Sequence, residues 1–188
     1  MQTNWKSVLT LTLTTFVLSV VLNLGSNSVL SFLPLTLSFV LLLFIIFIGV
    51  LFDIIGVAAT AGEEAPFHAM ASNRLAGAKQ AIWLVRNADA VSTFCNDLIG
   101  DVAGTLSGAI GVAIVFQLGS FSLGAGEALA TTLMVALIAA LTVGGKSIGK
   151  SFAISNSTVI LMVVGRILHS LERVGLRFDA TTVKNKKR

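Results

Sequence analysis

The sequence predicts an all-α integral membrane protein with four transmembrane helices. A cytoplasmic helical hairpin sits between spans two and three, and a C-terminal amphipathic helix lies in the interface. Three observations carry this. Of the 188 residues, 55% are apolar and only 12% are charged, about half the charged share of a soluble domain, so a water-soluble fold would be unable to cover its own surface. Uncharged stretches recur at about the 20 residues that a helix needs to cross the hydrocarbon layer. The 13 Lys and Arg residues all fall on one side of the spans, which sets an orientation. These features exclude a cytosolic enzyme, a disordered chain and a nucleic-acid module.

Between Lys6 and Asp53 no residue is charged. The polar patch Gly25-Ser26-Asn27-Ser28 divides this stretch into a first span near 7–24 and a second near 29–53. Pro34 falls in an early turn, where proline is tolerated. The segment LNLGSNS after the first span has no small-x-small cleavage pattern, so the span reads as retained rather than as a signal peptide. Val102 to Gly126 again lacks charge, giving a third span near 99–118 and a loop around Gly119-Ser120-Phe121-Ser122. The fourth span covers about 127–145.

With the N-terminus inside, the two outer loops (25–28 and 119–127) contain no basic residue. Lys6, Arg74, Lys79, Arg86, Lys146, Lys150, Arg166, Arg173, Arg177 and the tail from Lys184 to Arg188 then all lie on the cytoplasmic side. Both termini and the 61–96 segment are cytoplasmic on this reading, and the membrane is the plasma membrane. Residues 1–176 read as one transmembrane domain and 177–188 as a basic tail.

Residues 61–96 are too polar to span. Their pattern predicts two short helices near 63–75 and 76–87. Glu63, Glu64 and Pro66 suit a first helical turn, and Gly77 breaks the pair. Over 156–176, Ile160, Val163, Val164, Ile167, Leu168, Leu171 and Val174 follow helical spacing, with Arg166, His169 and Arg173 opposite. Such a helix lies in the interface with its basic groups towards anionic headgroups. Ser155 or Asn156 can cap it.

Ionisable residues near a bilayer are expensive and therefore informative. Asp53, Gly56, Thr60 and then Glu63 or Glu64 share one helical face. Thr93, Asp97 and Asp101 share another, with Asn96 beside it, and Thr142, Lys146 and Gly149 share a third, with Lys150 adjacent. Oxygen ligands of this hard type suit Mg²⁺, Ca²⁺ or Na⁺ rather than zinc or copper. The candidate metal ligands are Asp53, Thr60, Glu63, Asn96, Asp97 and Asp101. The same pattern equally describes structural ion pairs, in which Lys146 and Lys150 neutralise Asp53, Asp97 or Asp101. Gly100, Gly104 and Gly108 form a small-residue row suited to helix packing. His68 and His169 read as interfacial polar residues. Cys95, the single cysteine, can form no intrachain disulfide and reads as a packing residue.

In its order of elements the chain resembles the transmembrane domain of the cyclin M/CorB (CorC) magnesium transporters. Ala59-Thr60-Ala61-Gly62-Glu63-Glu64-Ala65 is similar to the family's S-A-S-E-x-A-L, with Glu63 in the acidic place. Asn73-Arg74-Leu75-Ala76-Gly77-Ala78-Lys79-Gln80-Ala81 resembles its hairpin, and Val91-Ser92-Thr93 its L-S-T. Leu98-Ile99-Gly100-Asp101 looks like its I-G-N, with Asp101 for asparagine. Gly145-Lys146-Ser147-Ile148-Gly149-Lys150 takes the place of its G-E-x-x-P-K. The resemblance covers roughly residues 50–175. It implies a divalent-cation transporter, with Mg²⁺ as the ion carried, built as a homodimer. Lys146 for the family's acidic residue and Gly149 for its proline are departures. The family's CBS-pair domain has no counterpart in these 188 residues.

Two functions are therefore expected to compete. The first is a divergent Mg²⁺-like cation transporter with a site near the cytoplasmic span ends. The second is a non-transporting membrane scaffold or partner subunit whose lysines neutralise the acids. No nucleophile with a partnered base and no phosphate loop is evident, so neither an enzyme nor an organic cofactor is expected. The partners are the lipid bilayer and a second copy or an unidentified protein, with no nucleic acid.

Overall fold

A computed structural model describes residues 5–30, 32–119 and 126–173. All regular structure among the described residues is helical. Four stretches are long and apolar enough to cross a membrane: Val8–Ser26, Leu35–Ala61, Ala88–Leu118 and Ala128–Ser155. Most of the expected outer loop (120–125) and the whole basic tail (177–188) lie outside the described residues.

The first helix, α1, covers Trp5–Leu30, so the patch Gly25-Ser26-Asn27-Ser28 does not end it. Gly25 costs a helix about 1 kcal/mol and the three polar residues about half that each, less than unsatisfied backbone groups would cost in lipid. Elsewhere in α1 the polar side chains bond back one turn. The hydroxyls of Thr12, Thr14 and Thr15 donate to the carbonyls of Val8, Thr10 and Leu11 at 2.9, 2.7 and 2.9 Å.

Pro34 then sets the start of α2 (Leu35–Ala61). Its carbonyl accepts the Leu37 and Ser38 N–H groups at 3.0 and 3.2 Å, and its missing N–H costs nothing there. Because α2 runs on to Ala61, Asp53 lies inside the helix rather than at its end.

After α2, Glu63 is extended and α3 covers Glu64–Ser72. The helix closes with paired bonds from Arg74 N–H to the Ala71 carbonyl (3.0 Å) and from Leu75 N–H to the Met70 carbonyl (3.1 Å). This is the Schellman pattern, with Arg74 at the left-handed position (φ 58°) that glycine usually fills. Helix α4 covers Ala78–Arg86 and starts from Gly77, also left-handed at φ 90°.

The third span begins well before residue 99. Helix α5 (Ala88–Ser92), a π-helical segment (Thr93–Gly100) and α6 (Asp101–Gly119) follow directly on one another. Residues 88–96 are thus helical and continuous with α6, within the apolar stretch Ala88–Leu118. Helix α7 covers Glu127–Ser155 and α8 Ser157–Arg173. Asn156 divides them, its backbone N–H bonding the Phe152 carbonyl at 3.0 Å while its own carbonyl accepts Ile160 N–H at 3.1 Å.

The chain forms two compact units, residues 1–53 with 95–149 and residues 54–94 with 150–188. In the first, Leu42 and Ile46 of α2 pack with Leu106, Ile110 and Ile114 of α6 and Ile138 of α7, while α1 runs along α6. The outward apolar surface is large. Leu9, Leu13 and Phe16 of α1 and Leu129 and Leu133 of α7 are exposed, as lipid-facing residues are. In the second unit α4 packs on both α3 and α8. Phe67, Ala78, Ala81, Leu84, Leu161 and Met162 are buried there.

The α4–α8 seam is a meeting of two glycines. A Cβ on Gly77 would lie 2.5 Å from the Arg166 nitrogen, and one on Gly165 would collide with the Gly77 carbonyl. Only glycine lets these backbones touch. Of the predicted stripe on α8, Val163, Ile167 and Leu171 are exposed, while Ile160, Val164 and Leu168 are half-buried.

Candidate functional site

Within the first unit, α2 and α7 bring Asp53 and Lys146 together, and α6 adds Asp101. The Lys146 ammonium lies 3.7 Å from Asp53 Oδ1 and 3.9 Å from Asp101 Oδ1. Both distances exceed a good charge-assisted hydrogen bond, so one cation is shared by two carboxylates as an electrostatic bridge. The three differ sharply in solvent exposure: 4% for the Asp53 side chain, 21% for Lys146 and 70% for Asp101. Asp53–Lys146 is thus the buried pair and Asp101 its wetter companion.

Gly100 makes room for the ammonium, since a Cβ there would come within 3.3 Å of Lys146 Nζ. Among the described residues, only Gly100 of the row Gly100, Gly104, Gly108 meets a neighbouring helix closely. At Gly104 and Gly108 a Cβ would meet nothing within 4 Å. On α2 and α7, the buried atoms Asp53 Oδ2 and Thr142 Oγ1 have no hydrogen-bond partner among the described residues.

Of the six expected ligands, the structure brings two, Asp53 and Asp101, to a common point. Asp97 is exposed and Asn96 half-buried in the π-helical segment. Thr60 and Glu63 belong to the second unit. The Thr60 hydroxyl donates to the Val57 carbonyl at 2.9 Å. Glu63 precedes α3 without capping it. Among the described residues no group of three or more His, Cys, Asp or Glu side chains is arranged to hold a metal ion. Lys146 fills the space between the two carboxylates that meet, and an ammonium there does not suit a divalent cation. Lys150 is exposed and makes no ion pair among the described residues.

The second unit holds two polar clusters. In the first, Arg86 Nε donates to Glu64 Oε2 at 2.9 Å and His68 Nε2 meets the same oxygen at 3.1 Å. The Arg86 hydrogen bond, then that of His68, holds the Glu64 carboxyl below its ordinary value of 4.5. In the second, the Gln80 side-chain amide donates to Glu172 Oε2 at 2.6 Å and to His169 Nδ1 at 3.3 Å.

Sequence reasoning missed both clusters. The Glu64–His68 spacing of four was available as a signal. Arg86 and the Gln80–Glu172 pair depend on tertiary packing and leave no local trace. Compared with protein-family models, curated proteins and solved structures, the chain matches none.

Proposed function

We propose that the chain is a membrane scaffold or partner subunit that conducts no ion, with Lys146 as the resident counter-ion of Asp53 and Asp101. The observation that carries this reading is the shared ammonium, 3.7 and 3.9 Å from the two carboxylates. A divalent cation about 4 Å from that ammonium would meet roughly 8 kcal/mol of repulsion at an effective dielectric near 20. That matches what one carboxylate would return at the same distance. The other carboxylate, Asp101, has a side chain 70% exposed and is screened by water, so magnesium transport of the cyclin M/CorB kind gains little from this trio. A buried acid with a fixed cation beside it is instead a stable structural element that needs no metal.

One observation favours a second reading, a cation transporter. Asp53 Oδ2 is buried without a hydrogen-bond partner, and two carboxylates with one ammonium leave one net negative charge. A monovalent cation would neutralise that charge, whereas Mg²⁺ would leave one positive charge in excess. The two readings separate on cation-dependent stability. The scaffold reading expects the same unfolding temperature for the purified protein in Mg²⁺, Na⁺ and choline salts of equal ionic strength. Selective stabilisation by Mg²⁺ or Na⁺, lost in Asp53→Asn, overturns it.

The proposed topology places both termini, the α3–α4 hairpin and α8 on the cytoplasmic side of the plasma membrane, with α8 in the interface. What supports it is the one-sided distribution of Lys and Arg and the exposed stripe Val163, Ile167 and Leu171. The homodimer is proposed on the family resemblance. Mass measurement of the detergent-solubilised protein tests it.

A further inference from the structure

The second unit carries a polar cleft that the charge trio does not use. It has a volume of about 550 Å³, and its lining includes Arg74, Gly77, Lys79, Gln80, His169 and Glu172. Arg74 and Lys79 make no ion pair among the described residues.

Arg74 is also held at φ 58°, in a helix-closing position where a side chain is disfavoured and glycine is the ordinary choice. Backbone strain of this kind concentrates at functional positions. The first turn of α4 begins at the same place, at Ala78, whose own N–H is bonded to the Leu75 carbonyl at 3.3 Å, and the helix N-terminus adds partial positive charge.

One carboxylate, Glu172, also lines the cleft, and it is tied down. Gln80 Nε2 donates one hydrogen to Glu172 Oε2 at 2.6 Å and the other to His169 Nδ1 at 3.3 Å. With Nδ1 accepting, the neutral imidazole carries its proton on Nε2 and keeps that donor. Two fixed cations and a ring donor therefore outweigh one carboxylate.

We infer that this cleft binds a phosphate-bearing anion, gripped by the Arg74 guanidinium and the Lys79 ammonium at the start of α4, with His169 as a further donor. Arginine offers a planar fork that matches phosphate oxygens, and lysine adds a point charge. The phosphate can come from a soluble ester or from a lipid headgroup. At 100° per residue, His169 and Glu172 lie on the side of α8 opposite Val163, Ile167 and Leu171. On the reading that this apolar stripe rests against the bilayer, the cleft opens to water and the soluble source is favoured. The site itself stands on the second unit alone, whether or not the first unit conducts ions.

The test uses the full chain carrying Trp5→Phe, which leaves Trp83 on α4 as the sole tryptophan. Inorganic pyrophosphate is titrated in detergent while Trp83 emission is followed. Nanodiscs of phosphatidylcholine, with and without phosphatidylglycerol, form the lipid arm. Saturable binding is expected, weakened about tenfold or more by Arg74→Gly, as for one lost charge-assisted hydrogen bond.

Arg74→Gly suits the left-handed position, so its unfolding temperature is expected to match or exceed that of the parent, and lost binding is then not lost folding. Lys79→Gln is expected to weaken binding, and Glu172→Gln, which keeps an acceptor for Gln80, to tighten it about threefold. A response only to phosphatidylglycerol, with the same variant pattern, supports the site and assigns it to headgroups. No saturable response in either arm, or a response that Arg74→Gly and Lys79→Gln leave unchanged, overturns the proposal.

Discussion

Replacing Lys146 by methionine keeps most of the side-chain volume and removes only the charge, which makes it the sharpest perturbation of the buried pair. At 3.7 Å the Coulomb attraction to Asp53 is about 4 kcal/mol for an effective dielectric near 20. The partner at 3.9 Å, Asp101, has a side chain 70% exposed, and water screening reduces its share to less than about 1 kcal/mol. Lys146→Met is therefore expected to destabilise the protein by roughly 3–5 kcal/mol, the usual result of leaving a buried charge alone. For a chain of this size that corresponds to about 10 °C in unfolding temperature. The assay is thermal unfolding of the detergent-purified protein, arranged as a double-mutant cycle with Asp53→Asn and separately with Asp101→Asn. The double variant Lys146→Met/Asp53→Asn should recover most of the loss, with a coupling of about 2–4 kcal/mol. The cycle with Asp101 should give less than about 1 kcal/mol. Equal coupling to both acids, or none to Asp53, would refute the assignment of Asp53–Lys146 as the buried pair.

Three further outcomes follow from the packing and the charges. Gly165→Ala sets a methyl group against the Gly77 carbonyl and should lower stability by about 1–3 kcal/mol, outweighing alanine's helix preference of about 1 kcal/mol. Limited proteolysis across the α3–α4 segment would detect it. Gly104→Ala meets nothing within 4 Å and should leave monomer stability unchanged or raised, measured by the same unfolding assay; a large loss would show that a second chain occupies that space. The lowered Glu64 carboxyl means that its contribution is complete above its ordinary value of 4.5 and is lost as pH falls through the still lower folded value. Hydrogen exchange in α3 and α4 should accelerate across that acidic range. Arg86→Met, which removes the largest cause of the lowering, should move the loss to higher pH.

The four helices long and apolar enough to span were legible because hydrophobic length is a local property of a chain. Boundaries were less so. The patch Gly25-Ser26-Asn27-Ser28 reads as a loop by composition, yet an unbroken helix satisfies its backbone more cheaply. The start of the third span was hidden because a π-helical segment has no sequence signature and because Asp89 and Asp97 suggest a polar connector.

At the trio, spacing placed Lys146 on a face with Thr142 and left Asp53, Asp97 and Asp101 as equal partners. Only the packing of α2, α6 and α7 selects Asp53 and Asp101. Arg74 was visible as one of the basic residues and as part of the hairpin resemblance, with no sign of its backbone conformation. Its left-handed backbone contradicts ordinary turn chemistry, which is why the sequence pointed to Gly77 instead.

The central claim is that Lys146 replaces a transported ion rather than guarding one. Ion flux in proteoliposomes tests it most directly, with Mg²⁺ and Na⁺ uptake followed for the wild type, Asp53→Asn and Lys146→Met. Wild-type uptake of both ions is expected to equal that of empty liposomes. Uptake of either ion by the wild type, abolished by Asp53→Asn, would contradict it.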